Sequence, residues 1–119
     1  MIAHIVLFTP KAGLEPEDVR SFARLISDAC RNIPTLVRSM VGRSVDVDAG
    51  YQRNFGDTTY KFAAILEFAD QAGLVAYLNH PIHEELGRAF WEVCASTAIL
   101  EVEFVDGMAD NLIESIQEW

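Results

Sequence analysis

The 119 residues carry 18 acidic and 9 basic side chains, a net charge of -9, and 50% hydrophobic against 23% charged positions. That composition is globular and sized for one domain, and it excludes nucleic acid and anionic membrane surfaces as partners, since either needs a basic patch to meet its charge. Cys30 and Cys94 stand far from any metal-ligand spacing and are expected as free thiols; with no basic-flanked signal segment and no membrane-length apolar run, the chain is expected in the cytoplasm.

Residues 2–9, Ile-Ala-His-Ile-Val-Leu-Phe-Thr, read as a strand whose two faces, Ile2, His4, Val6, Phe8 and Ala3, Ile5, Leu7, are both largely apolar. Pro10 and Gly13 break it, and from Glu15 the period becomes helical. Val19, Phe22, Ala23, Leu25, Ile26, Ala29, Cys30 and Ile33 share a stripe that Pro34 ends. Alternation from Leu36 to Val47 predicts a second strand with Val37, Ser39, Val41, Arg43, Val45 and Val47 on one side, followed by a polar loop over 48–58. The acidic residues of that loop lack the glycine position and flanking helices of a calcium loop, so it reads as solvated. Tyr60 to Phe68 is a third strand with Tyr60, Phe62, Ala64, Leu66 and Phe68 on one face. A short helix from Gln71 to Leu78 and a longer one from Pro81 to about Ala95 follow, then a fourth strand from Ala98 to Val105. In the tail, Leu112, Ile113, Ile116 and Trp119 recur at helical spacing and predict an amphipathic helix.

The order β-α-β-β-α-β predicts a split β-α-β arrangement of the α+β class: one four-stranded antiparallel sheet with helices on one face. Because the first and third strands are apolar on both faces, the uncovered face needs a partner, and a second copy of the same sheet is the economical one. Two sheets face to face would form a homodimer of barrel type, enclosing an apolar interior into which His4 is expected to point.

Two of the three histidines and a tyrosine fall within Tyr77-Leu78-Asn79-His80-Pro81-Ile82-His83. Pro81 suits the first position of a helix, so His80 is the expected N-cap and His83 lies in the first turn. The positive end of the helix dipole favours a neutral His83 ring, the form a general base needs, whereas Glu84 and Glu85 favour the cation. The residues leave that balance open, and they leave open the plainer reading of a well-built helix start. His80 and His83, three residues apart, have no carboxylate at ligand spacing, so no metal or cofactor is expected.

The opening Met1 to Phe8, Ile33-Pro34, Gly42-Arg43-Ser44, Tyr60 to Phe68, and the Tyr77 to His83 run followed by Phe90-Trp91 together resemble the stress-responsive A/B barrel family. The resemblance covers residues 1–105 and leaves 106–119 as a C-terminal extension. It implies a ferredoxin-like protomer forming a dimeric α+β barrel, with a small-molecule cavity between sheet and helices. Most members have no assigned activity, and one plant branch consists of cofactor-independent polyketide cyclases in which a Tyr and a His of this run are the acid/base pair. Carried over, Tyr77 would polarise a substrate carbonyl and His83 would take a proton from the carbon beside it. His4, Phe8, Phe62, Phe90 and Trp91 would bind substrate. Phe62 occupies the position where the plant branch has a further pocket histidine, which reshapes the pocket and with it the substrate. Two function classes follow: a homodimer that holds a small apolar or carbonyl-containing ligand, and a Tyr/His acid–base enzyme. A monooxygenase-like barrel is a distant third.

Overall fold

The alternating apolar run at the start forms β1 (Ile2–Pro10), and the helical stripe after Gly13 forms α1 (Pro16–Asn32). Pro16 opens that helix, Glu17 and Asp18 in its first turn and Arg31 in its last complement the helix dipole, and Phe22 and Ala29 face the core. β2 (Leu36–Arg43), α2 (Tyr51–Phe55), β3 (Phe62–Phe68), α3 (Gln71–Leu78), α4 (Pro81–Val93), β4 (Cys94–Glu103) and α5 (Leu112–Gln117) complete the computed structural model, which describes residues 1–56 and 59–117.

The strands form one antiparallel sheet in the order β2-β3-β1-β4. Its inward face carries Ile2, His4, Val6 and Phe8 of β1 against Phe68, Leu66, Ala64 and Phe62 of β3, and α1, α3 and α4 cover them. The core is continuous beneath the helices, with Phe68 fully buried and Leu74, Tyr77 and Leu86 contributed by α3 and α4. Each large apolar side chain sealed there contributes roughly 1.5–3 kcal/mol. The opposite face holds Ile5 and Leu7, paired with Ile65 and Ala63 on one side and Leu100 and Ala98 on the other. No element among the described residues covers it, and Leu7, Met40 and Leu100 stay exposed.

Several boundaries differ from those expected. β2 ends at Arg43, because its partner β3 begins only at Phe62, not at Tyr60; Val45 and Val47 run on exposed. A register shift between Leu36 and Arg38 takes Val37 out of the alternation, so Leu36, Ser39, Val41 and Arg43 share the inward side. The polar loop contains the short α2, and Asp57 and Thr58 of that loop lie outside the described residues. β4 begins four residues early: Cys94 closes α4 in extended geometry and immediately pairs with Pro10. Trp119, expected on the terminal helix, also lies outside the described residues.

Contrary to the expectation from sequence, His4 faces the helices and not the uncovered face, so it points away from any interior enclosed between two sheets. The parity of the strand decides this: His4 shares its side with Val6 and Phe8, both buried under the helices.

Candidate active site

Antiparallel register sets His4 between Leu66 of β3 and Glu101 of β4. The imidazole is almost fully buried, and its Nδ1 lies 2.7 Å from Oε1 of Glu101. An ionised carboxylate only accepts, so Nδ1–H donates and Nε2 is left as the ring's second polar atom. Glu101 keeps 40% of its side chain in contact with solvent, which retains its hydration while it holds the ring in one orientation.

Tyr77 comes from the last turn of α3. That helix starts cleanly because Asp70 accepts a hydrogen bond from the Gly73 N–H at 2.8 Å. The tyrosine ring stacks on Phe68, with centroids 5.5 Å apart and planes 23° apart. Burial, with smaller contributions from Cys30 and Glu101, pushes the phenol up to about 12. At any ordinary pH Tyr77 is therefore a neutral hydrogen-bond donor.

The turn from α3 to α4 aims His83. His80 donates its backbone N–H to the Tyr77 carbonyl at 2.9 Å, and its ring Nδ1 accepts from the Ile82 N–H at 3.1 Å as the N-cap of α4. Pro81 takes the first helical position, and the His83 N–H closes on the His80 carbonyl. The His83 ring is thereby brought to 5.0 Å from the Tyr77 ring and 6.3 Å from His4, while His4 and Tyr77 stand 5.4 Å apart, all edge to face. Burial and then the neighbouring His4 lower the His83 pKa from its ordinary 6.5, against a hydrogen bond with the Leu78 backbone and the charge of Glu101. Burial and His4, and not the helix dipole or the acidic residues that follow, therefore favour the neutral ring.

These three rings border a cavity of about 560 Å³ between α4 and the β1–β4 pair. His4, Tyr77 and His83 form one end; Val6, Leu86, Phe90 and Ile99 line its length; Cys94, Ser96, Thr97 and Lys11 form the other end. Trp91, 83% exposed, stands at the rim. The volume suits a small organic molecule. Among the described residues, no group of three His, Cys, Asp or Glu side chains is arranged to hold a metal ion.

Of the residues singled out in the sequence, His4, Tyr77, His83, Phe90 and Trp91 meet at this cavity, and Phe8 and Phe62 do not line it. Phe62 pairs with Phe8 at the far end of the sheet from His4, where the two rings stack at 5.5 Å and Phe8 meets Phe22 and Phe90 edge-on. Phe62→Ala is accordingly expected to cost about 2 kcal/mol of stability in a urea titration while leaving affinity for a cavity ligand within about twofold. Glu101 and Lys11 were not visible as site residues from sequence. An acidic residue inside the apolar run Ala98-Ile99-Leu100-Glu101-Val102 is a signal, but its meaning depends on the β1–β4 register that sets it opposite His4.

A family comparison matches residues 2–104 to the stress responsive A/B barrel domain, Dabb. The chain belongs to this family. No curated protein matches the sequence, whereas solved structures do. A Dabb protein with a ferredoxin-like fold from Mesorhizobium loti is 22% identical, with a TM-score of 0.68 over 88% of this chain and 97% of that one. A dimeric ferredoxin-like protein of unknown function from Thermobifida fusca is 23% identical, with a TM-score of 0.67 over 87% and 90%. The hydroxynitrile lyase of Passiflora edulis is 17% identical, with a TM-score of 0.74 over 91% and 96%. At these identities the similarity shows the Dabb domain's ferredoxin-like fold. No helix among the described residues is long and apolar enough to cross a membrane.

Proposed function

We propose that the protein is a homodimer that takes a small carbonyl compound with an apolar body into the cavity between sheet and helices and moves a proton on it without a cofactor. One observation carries the reading: three polar rings from three separate elements, His4, Tyr77 and His83, meet within 5.0–6.3 Å at the border of a cavity large enough for a ligand. In the proposed step the neutral His83 ring takes a proton from the carbon beside the carbonyl, and the C–H electron pair moves into an enolate. Tyr77 donates a hydrogen bond to the oxygen as its charge develops. His83 then returns the proton to another carbon, which is an isomerisation, or to the alkoxide formed when the enolate carbon adds to a second carbonyl of the same molecule, which is an aldol cyclisation. Either path balances with no oxidant. Glu101 holds the buried His4 ring, whose second nitrogen is available to a further polar group of the ligand.

The Passiflora neighbour, named as a hydroxynitrile lyase, supports this reading as an example of lyase chemistry on the same fold. The homodimer is supported by the uncovered apolar face and by neighbours described as dimeric. A second reading, ligand binding without turnover, is favoured by the hydrogen bond between His83 and the Leu78 backbone, which occupies one side of the base. Decan-2-one in deuterium oxide separates the two. The acid–base reading expects α-proton exchange, followed by NMR, at least about a hundredfold faster than in imidazole buffer of equal concentration. Saturable binding of the ketone with no added exchange would leave only the carrier.

A further inference from the structure

We infer that the cavity is built for a carbonyl compound carrying a carboxylate at its far end, held by Lys11 while the carbonyl meets Tyr77 and His83. The inference rests on the carbonyl-binding reading of the histidine end and adds a second anchor to it. Lys11 follows directly on β1, and its backbone N–H donates to the Val93 carbonyl at 2.8 Å, which ties it to the α4–β4 junction. Its exposed side chain borders the cavity there beside Cys94 and the Ser96 and Thr97 residues. Burial pushes the Cys94 thiol up, against a hydrogen bond with Thr97 and, to a smaller extent, the charge of the nearby Lys11 ammonium.

Three features make this more than a surface lysine. Among the described residues, Lys11 is the one lysine or arginine bordering the cavity, in a chain whose net charge is -9. It forms no ion pair among the described residues. The carboxylate nearest the histidines, Glu101, is at the opposite end and already bonded to His4. A ligand with one anionic terminus is therefore drawn to one end and repelled from the other, and that polarity orients it. Between the ends, Val6, Leu86, Phe90 and Ile99 present apolar surface. The length fits a chain of several methylenes, since the eleven residues from His83 to Val93 cover roughly 16 Å of helix.

The test compares 9-oxodecanoate, with ketone and carboxylate at opposite termini, with its methyl ester by calorimetric titration at low salt. The wild-type protein is expected to bind the acid roughly fivefold more tightly than the ester, the scale of a partly solvated ion pair. Lys11→Met should remove that preference without weakening the ester, and Lys11→Arg should keep it. The side chain is exposed and only its backbone bond is structural, so neither substitution threatens the fold. Equal affinity for acid and ester in the wild type, or a preference that survives Lys11→Met, overturns the role of Lys11 and leaves ketone binding standing. If neither compound nor decan-2-one binds, the carbonyl reading itself fails and takes this inference with it.

Discussion

His83→Ala is expected to slow α-proton exchange of a bound ketone by about a hundred- to ten-thousandfold, while the urea midpoint moves by no more than the equivalent of about 1 kcal/mol. The two effects separate because different parts of the residue do different work. The backbone N–H of His83 closes the first turn of α4 on the His80 carbonyl, and any residue but proline supplies that bond. The ring, by contrast, supplies the base in the proposed step. A pH series sharpens the test. Burial and His4 hold the His83 pKa below 6.5, so the neutral, active form should persist as pH falls past 6.5, and the rate should drop only at lower pH. Stability follows the same linkage. As pH falls below 6.5 the unfolded chain binds a proton at this histidine before the folded chain does, so folding weakens until the folded-state value is passed and then levels off. His83→Ala should lack that limb, and a variant with unchanged exchange would remove His83 from the chemistry.

Leu7→Glu is expected to convert a dimer into a monomer, raising the dissociation constant by at least about a hundredfold in sedimentation equilibrium. Leu7 lies on a central strand of the uncovered face, flanked by Ala63 and Ala98, with Ile5, Ile65 and Leu100 one pleat away. In a free protomer its side chain is already 36% exposed, so a glutamate there leaves folding nearly untouched. Packed against a second sheet, the same carboxylate would be stripped of water with no cation opposite it. Two further segments leave the sheet at diagonally opposite corners, one after Arg43 beside Phe62 and one after Glu103 beside Ile2. Both carry exposed apolar groups, Phe55 on the first and Met108 and Ile113 on the second. A wild-type protein that sediments as a monomer at micromolar concentration would contradict this account of the surface.

Much of the fold was legible because its punctuation is local. Asp70 before Gln71, Pro81 after His80, and Pro34 after Ile33 mark helix ends within one or two residues, and the change from period two to a helical stripe after Gly13 marks the first crossover. The hand-over from α4 to β4 carries no such mark. Val93-Cys94-Ala95-Ser96 suits either state, and only pairing with Pro10 makes it strand. β2 misled for a similar reason: its alternation continues to Val47, but a strand ends where its partner ends.

The site divides along the same line. Tyr77, His80 and His83 are close in sequence, so the short turn from α3 to α4 brings them together. His4 and Glu101 are 97 residues apart and meet through register, which no local pattern contains. Phe62 shows the remaining gap, since its face was predictable and its height along the strand was not. It stands opposite Phe8, at the other end of the sheet from the residues it was expected to join.

The most direct test of the account follows the ring resonances of the three histidines by carbon-edited NMR while decan-2-one is added. His4 and His83 border the cavity, and His80 is occupied as a helix cap on the Ile82 N–H. The His4 and His83 signals are expected to move together along one saturation curve while His80 stays still. Ketone binding that shifts His80 alone, or none of the three, would contradict it.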